Sequence, residues 1–347
     1  MLKKLRRIKM DTFIFALNAI LPIILLILFG YLLKKKSFLD EEWFKKGNKL
    51  IFRVCLPCML FTNVYNIQSF TSINWSVVIY SEIAILVVFF LGLLTVKLTV
   101  PDNRQKGVIL QCIFRSNFAI IGLTLAESLG GVEGKGIAAI LSAFSIPTFN
   151  ILAVISLTMF LDDENGHKAN IKDVLIKIAK NPLIIGVVCG LIVLGIRSFI
   201  PVGAEGELVF SLSGSLQFFY DAVNNLGKIT SPLALVVLGG LFDFSAVKGM
   251  LKQIIIGTAA RVVVVPLAVI GLAVILSAHT DLISFDATVY PALIALFGSP
   301  VAVASAIMAQ EMDNDGVLAG QLVVWTSIMS IFTIFLFVFV LRTMGLL

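Results

Sequence analysis

The sequence predicts an all-α membrane protein: ten transmembrane helices arranged as a 5+5 inverted repeat, with helices 4 and 9 broken and crossing. Three observations lead there. Of the 347 residues 59% are hydrophobic and 14% charged, with a mean hydropathy of +1.01, whereas a soluble chain carries about 25% charged residues. Apolar stretches of about 20 residues recur, each long enough to cross a bilayer as a helix. Two short polar breaks, Phe114-Arg115-Ser116-Asn117 and Phe297-Gly298-Ser299-Pro300, interrupt apolar segments 183 residues apart.

Along the chain the predicted spans are 12–33, 48–66, 75–99, 107–129, 136–161, 182–200, 216–242, 250–277, 288–311 and 317–341. They form one transmembrane domain over 1–347, with a first five-helix half at 12–161 and a second at 182–341. Between them, 162–181 reads as a cytoplasmic linker. Its Ile171, Val174, Leu175 and Ile178 recur at helical spacing with Lys172, Lys177 and Lys180 between them. That pattern predicts an amphipathic helix on the membrane surface or, equally, a cytoplasmic extension of the sixth span.

Orientation follows the lysines and arginines of the short loops. Lys34, Lys35, Lys36, Lys45, Lys46, Lys49, Lys97, Arg104, Lys106, Lys168, Lys172, Lys177, Lys180, Lys248 and Lys252 fall on one side. The other side holds Lys135, Arg197 and Arg342 besides the basic leader Lys3-Lys4-Leu5-Arg6-Arg7-Ile8-Lys9. The first side is assigned to the cytoplasm, with both termini outside, in the plasma membrane. The leader argues the other way, a conflict that a start at Met10 removes. No small-residue cleavage site follows the first apolar run, so the leader is no signal peptide.

The halves resemble each other. Pro22 and Gly30 match Pro182 and Gly190 at an offset of 160, and Arg53 and Pro57 match Lys228 and Pro232 at 175. Phe114, Ser116 and Ala126 match Phe297, Ser299 and Ala309 at 183, and Ser145-Ile146 matches Ser327-Ile328 at 182. Five spans per half is an odd number, so the second half enters from the opposite face. Inverted repeats with paired broken helices are the architecture of many secondary transporters, whose substrate sites lie at the breaks.

At the breaks, Ser116, Asn117 and Ser299 offer hydroxyl and amide groups, and Pro300 removes a backbone donor. Half-helix N-termini meeting at mid-membrane favour an anionic group, and the opposite ends present carbonyls suited to a cation. The plainer alternative is two kinked helices whose polar side chains bond to their own backbone. Arg115 and Arg261 lie inside spans, and either could neutralise an organic anion or form a salt bridge inside the bundle, as with Glu82; Arg115, beside the break, reads as lying near the substrate path and Arg261 as a structural pair. Arg53 reads as a snorkelling residue and Lys228 as a partner of Asp221. Glu127 and Glu311 end spans four and nine, as an ion or proton site or as solvated helix ends. Asn150, with Ser145, Pro147 and Thr148, lines the cavity or bonds a neighbouring helix.

Other chemistries lack residues. His167 and His279 are the two histidines, too few for a histidine-rich metal site. Cys55, Cys58, Cys112 and Cys189 all lie in apolar runs, and the Cys55-Leu56-Pro57-Cys58 motif lacks a thioredoxin-like context, so they read as packing residues. No H-E-x-x-H, G-x-S-x-G or P-loop is present, so neither an enzyme nor a cofactor is expected. No basic face interleaved with aromatics points to nucleic acid.

Asn117 followed by Gly122-Leu123, the run Leu56-Pro57-Cys58-Met59-Leu60-Phe61, and Ser299-Pro300 with Ala309-Gln310-Glu311 resemble the auxin efflux carrier family. So does the opening Ala16-Leu17-Asn18-Ala19-Ile20-Leu21-Pro22 with Gly30-Tyr31. That family includes plant auxin carriers and bacterial malate-type permeases. The resemblance implies a ten-helix fold similar to bile acid:sodium symporters, with spans one, two, six and seven as a scaffold and the rest as a moving domain. It implies that Asn117 contacts a substrate carboxylate and that Pro300 breaks span nine. At Thr124 the family often has proline, which makes the first break milder here. The long central loop of the plant carriers is missing. The expected activity is a secondary active transporter moving a small carboxylate by alternating access, with Asn117, Ser116, Ser299, Pro300, Asn150 and Arg115 at the site. The alternative is a sodium- or proton-coupled organic-anion symporter using Glu311 or Glu127. Expected partners are the substrate, the coupling sodium ion or proton, the lipid bilayer and a second copy in a homodimer.

Overall fold

The computed structural model describes residues 21–66, 75–161, 176, 179–197, 199–201, 209–243, 245–280 and 285–347. The basic leader, the choice of Met1 or Met10 as start, and most of the 162–181 linker lie outside the described residues.

Short acidic side chains start several helices by accepting from an otherwise unpaired N–H of the first turn. Asp40 accepts from Trp43 at 2.7 Å, Asp102 from Arg104 at 2.8 Å and Asp315 from Leu318 at 2.9 Å. From its first described residue, α1 runs over 21–35. α2 (Glu41–Leu50) continues through a π-helical turn, Ile51–Cys55, into α3 (Leu56–Tyr65). Pro57 cannot donate a backbone hydrogen bond, and the wider turn just before it accommodates that loss. α4 is Trp75–Thr99 and α5 is Asn103–Phe114; a second π-turn, Phe118–Gly122, leads into α6, Leu123–Thr158. α7 (Pro182–Arg197) and α8 (Gln217–Leu241) follow. α9 (Val247–Ala259) passes through the π-turn Ala260–Val264, again next to a proline, into α10 (Val265–His279). α11 (Val289–Gly298), α12 (Ala304–Glu311) and α13 (Gly316–Thr343) complete the described helices.

The predicted span 75–99 coincides with α4, and 182–200, 216–242, 250–277 and 317–341 differ from their helices by a few residues. Spans four and five merge: α6 runs through the predicted gap, bent at Gly131, whose φ 63 and ψ −150 suit only glycine. Trp75–Thr99, Leu123–Thr158, Val247–His279 and Gly316–Thr343 are long and apolar enough to cross a membrane by length and composition. Ile83, Leu91, Leu267 and Phe332 point outward and exposed along these helices, as Phe29 does on α1, the surface of a multi-pass membrane protein. Cys55 and Cys112 are buried and unbridged, as the apolar-packing reading expects, whereas Cys189 is exposed.

Glycines set the closest helix contacts, as small residues do between membrane helices. A Cβ on Gly30 would lie 1.9 Å from the Val236 carbonyl oxygen, and one on Gly239 would lie 1.9 Å from that of Ile27. α1 and α8 are thus locked face to face. Gly186 meets Pro57 and Gly190 meets Val64 in the same way, which seats α7 on α3. Gly130 and Gly134 receive Pro291, bringing α6 against α11.

Lys34, Glu41, Lys45, Asp243 and Gln310 border a vestibule of about 470 Å³. Nearby, Arg104 donates to the Asp313 carbonyl at 2.9 Å and Gln105 to Asp315 at 3.0 Å. Helix ends assigned to the lysine-rich side therefore gather at one end of the bundle.

Candidate functional site

Both expected breaks are present, and they meet. α5 stops because Arg115 adopts an extended backbone, φ −85 and ψ 123. α11 stops at Ser299, φ −65 and ψ 150, the conformation that a following proline imposes. Ser116 and Val301 form an isolated antiparallel bridge, and the Asn117 N–H donates to the Pro300 carbonyl at 2.8 Å. Val301 N–H is taken up by the Thr326 hydroxyl of α13 at 3.2 Å.

Arg261 ties the crossing together. It is fully buried and donates to the carbonyls of Ser299 (3.0 Å), Ile113 (3.3 Å), Phe114 (3.2 Å), Leu296 (3.2 Å) and Phe297 (2.8 Å). These are the acceptors that α5 and α11 leave unpaired where they end. The structural ion pair expected for Arg261 is therefore corrected: its partners are backbone carbonyls at the negative ends of two helix dipoles.

A small cavity of about 40 Å³ lies on the crossing. Arg115, Ser116 and Asn117 of the first break line it, with Ala302, Val303 and Ala304 of the second. Ile146, Phe149 and Asn150 of α6 close one wall, and Ile51, Leu56, Met59, Leu60, Thr230, Ser231 and Ala234 close the other. The lining is mostly apolar with a few convergent polar groups, the usual character of a small-molecule site.

Arg115 is 4% exposed. It donates to Asn150 Oδ1 at 2.8 Å and approaches Met308 Sδ at 2.7 Å. No ion pair involving Arg115 is formed among the described residues. The pairing with Glu82 is corrected: that carboxylate accepts from Ser145 at 3.1 Å and Thr148 at 2.7 Å. Hydroxyls one helix turn apart on α6 reach it first. Asn150 also donates to the Ile146 carbonyl at 2.7 Å, which fixes its amide with the oxygen towards Arg115. Ser116 Oγ and Asn117 Nδ2 are buried with no hydrogen-bond partner among the described residues, an unusual state for native polar groups.

The other expected site residues lie apart from this cavity's lining. Ser299 is fully buried, and its hydroxyl donates to the Ala295 carbonyl at 2.6 Å, within its own helix. Pro300 contributes its carbonyl to the crossing. Glu311 accepts from Asn48 Nδ2 of α2 at 2.8 Å. Glu127 pairs with Lys135 at 2.9 Å, both about half exposed. Arg53, Lys228 and Asp221 are exposed, and no Lys228–Asp221 ion pair forms. Among the described residues no group of three or more His, Cys, Asp or Glu could hold a metal ion. Thr230 and Ser231 were missed at the sequence level, although Ser231-Pro232 repeats the dipeptide Ser299-Pro300. Gly122, part of the family-like spacing, has a physical reason: the Phe118 ring lies where its Cβ would be.

The chain is 22% identical over 323 residues to a protein of Methanothermobacter thermautotrophicus named as an uncharacterized transporter, covering 90% of this chain and 94% of that one. The model of the family described as membrane transport protein matches residues 15–338. With crossing broken helices inside an apolar bundle and that match over most of its length, the chain belongs to the membrane transport protein family, that of the auxin efflux carriers.

Proposed function

We propose that this membrane transporter is a secondary carrier that moves a small organic anion, a carboxylate such as malate or an auxin-like acid, across the plasma membrane by alternating access. One observation carries the proposal: a buried guanidinium with no carboxylate partner among the described residues shares a cavity with two buried polar atoms, Ser116 Oγ and Asn117 Nδ2, that find no partner among them either. A buried charge needs a partner, and an orphaned buried donor carries a desolvation penalty. A carboxylate entering the cavity would satisfy all three groups, the guanidinium through charge-assisted bonds. Asn150 then acts as a positioning residue for Arg115.

Alternating access takes its support from the location of the cavity. One wall comes from the π-turn at Ile51, α3 and α8, the other from the crossing and α6. Rocking of the crossing bundle against the first wall would expose the site to each side in turn. We further propose ten spans in two inverted five-helix halves, supported by equivalent breaks in each, with the lysine-rich vestibule facing the cytoplasm and both termini outside.

A thermal-shift screen of the purified protein against malate, malonate, lactate, 2-oxoacids and indole-3-acetate tests the site, because a ligand of the folded state raises its melting temperature. At least one acid is expected to stabilise the parent, and Arg115→Gln to lose that response. An acid that stabilises a folded Arg115→Gln variant as well as the parent would overturn the assignment.

A further inference from the structure

The arginine of the crossing has no capacity left for a ligand. A guanidinium carries five N–H donors, and those of Arg261 engage five separate carbonyl oxygens at 2.8–3.3 Å. Two carbonyls come from the end of α5, two from the end of α11, and one from the second break. Arg115, by contrast, meets one side-chain amide and one thioether. The two buried cations therefore differ in kind: one is saturated by backbone, the other faces a cavity.

A ring of backbone carbonyls inside a bundle is the coordination chemistry of a bare monovalent cation, as in channel filters. The charges also match. Each helix C-terminus carries about half a negative elementary charge, so two ends together balance about one cation. The opposing carbonyls would repel one another if nothing stood between them.

We propose that the crossing contains a cation-binding site whose resident is tethered: the Arg261 guanidinium stands in place of a free monovalent cation. Shortening this side chain opens the site to guanidinium, sodium or potassium from solution. This extends the carrier reading without depending on which acid is carried. It also means that a coupling ion, where one is used, binds away from these five carbonyls.

The test is thermal unfolding of purified Arg261→Lys, Arg261→Gln and Arg261→Ala variants in the absence of any organic acid, so that its result is independent of the substrate assignment. Choline chloride is the reference salt, against millimolar guanidinium, sodium and potassium chlorides. The lysine variant, which keeps the charge, is expected to melt above the glutamine variant. The melting temperature of the alanine variant is expected to rise saturably with guanidinium or one alkali cation, recovering a substantial part of its loss, while the parent responds to none of them. A lysine variant that does not fold, or that melts no higher than the glutamine variant, overturns the proposal. So does a folded alanine variant indifferent to all three cations. Where the alanine variant does not fold, the lysine–glutamine comparison decides.

Discussion

Replacing Asn117 by alanine removes one amide and nothing else that holds the fold. The bond that joins the two breaks uses the backbone N–H of Asn117, donated to Pro300 at 2.8 Å, and alanine keeps it. The side-chain nitrogen is buried without a partner, so its loss leaves no orphan behind. Folding stability is expected to stay level or rise slightly. Affinity for the acid is expected to fall, because a hydrogen bond to a charged group contributes about 1.5–3 kcal/mol, which corresponds to about a 10- to 150-fold weaker Kd. Asn117→Asp keeps the shape but sets a carboxylate against the anion, and should bind more weakly still. Two measurements decide: the melting temperature without ligand, and the acid concentration needed for half-maximal stabilisation, backed by uptake into proteoliposomes. An alanine variant that binds and transports the acid like the parent refutes the reasoning, as would one that loses binding only because it has unfolded.

The further expectations concern stability. In Gly239→Ala the new methyl would meet the Ile27 carbonyl oxygen at 1.9 Å, a backbone atom that cannot swing aside; a loss of about 1–3 kcal/mol or more is expected, read as a lower melting temperature. Gly136→Ala, with nothing within 4 Å of its Cβ, is the control and should be neutral or mildly stabilising. Gly131→Ala has the same open space, yet its φ of 63 makes a loss of about 1–3 kcal/mol the expected result; equal melting of the two alanine variants would count against the bend. At the vestibule, hydrogen bonds from Lys45 and then Lys34 hold the Glu41 carboxyl below its usual value. A lowered carboxylate value contributes stability above the ordinary range and loses it as pH falls through the folded value. The melting difference between parent and Glu41→Gln should therefore be level from neutral pH to about pH 5 and close only below that. A difference that shrinks between pH 8 and pH 6 (roughly, where no carboxylate titrates) would contradict the pairing.

Hydropathy located the helices because length and apolarity suffice to specify a span, and α4 matches residue for residue. The breaks were legible for a related reason: polar residues at membrane depth need protein or water around them, and Pro300 enforces an extended residue before it. Arg115, Ser116, Asn117 and Asn150 do share one cavity. What stayed hidden is what backbone atoms do. Nothing in the letters around Arg261 announces that five carbonyls will close on it, since helix-end acceptors have no residue signature. Ser299 read as a ligand donor by its type, but its hydroxyl had an acceptor one turn back on its own helix, the competition expected of serine. Gly131 was one of many glycines until its φ set it apart. Thr230 and Ser231 come from a helix remote in sequence, joined to the breaks only by packing.

The unpaired guanidinium of Arg115 has an electrical consequence. With its cavity vacant, the site carries one uncompensated positive charge. Filled by a monocarboxylate it is neutral, and filled by a dicarboxylate it is negative by one. Moving one elementary charge through the whole field is worth about 2.3 kcal/mol per 100 mV. Under a membrane voltage, therefore, the vacant form would feel the field while the monocarboxylate-loaded form would not. The return of the vacant site would then be the voltage-sensitive step for monocarboxylate transport. Transient currents that vanish when a monocarboxylate saturates the protein are the signature, and currents that grow under saturation would contradict it.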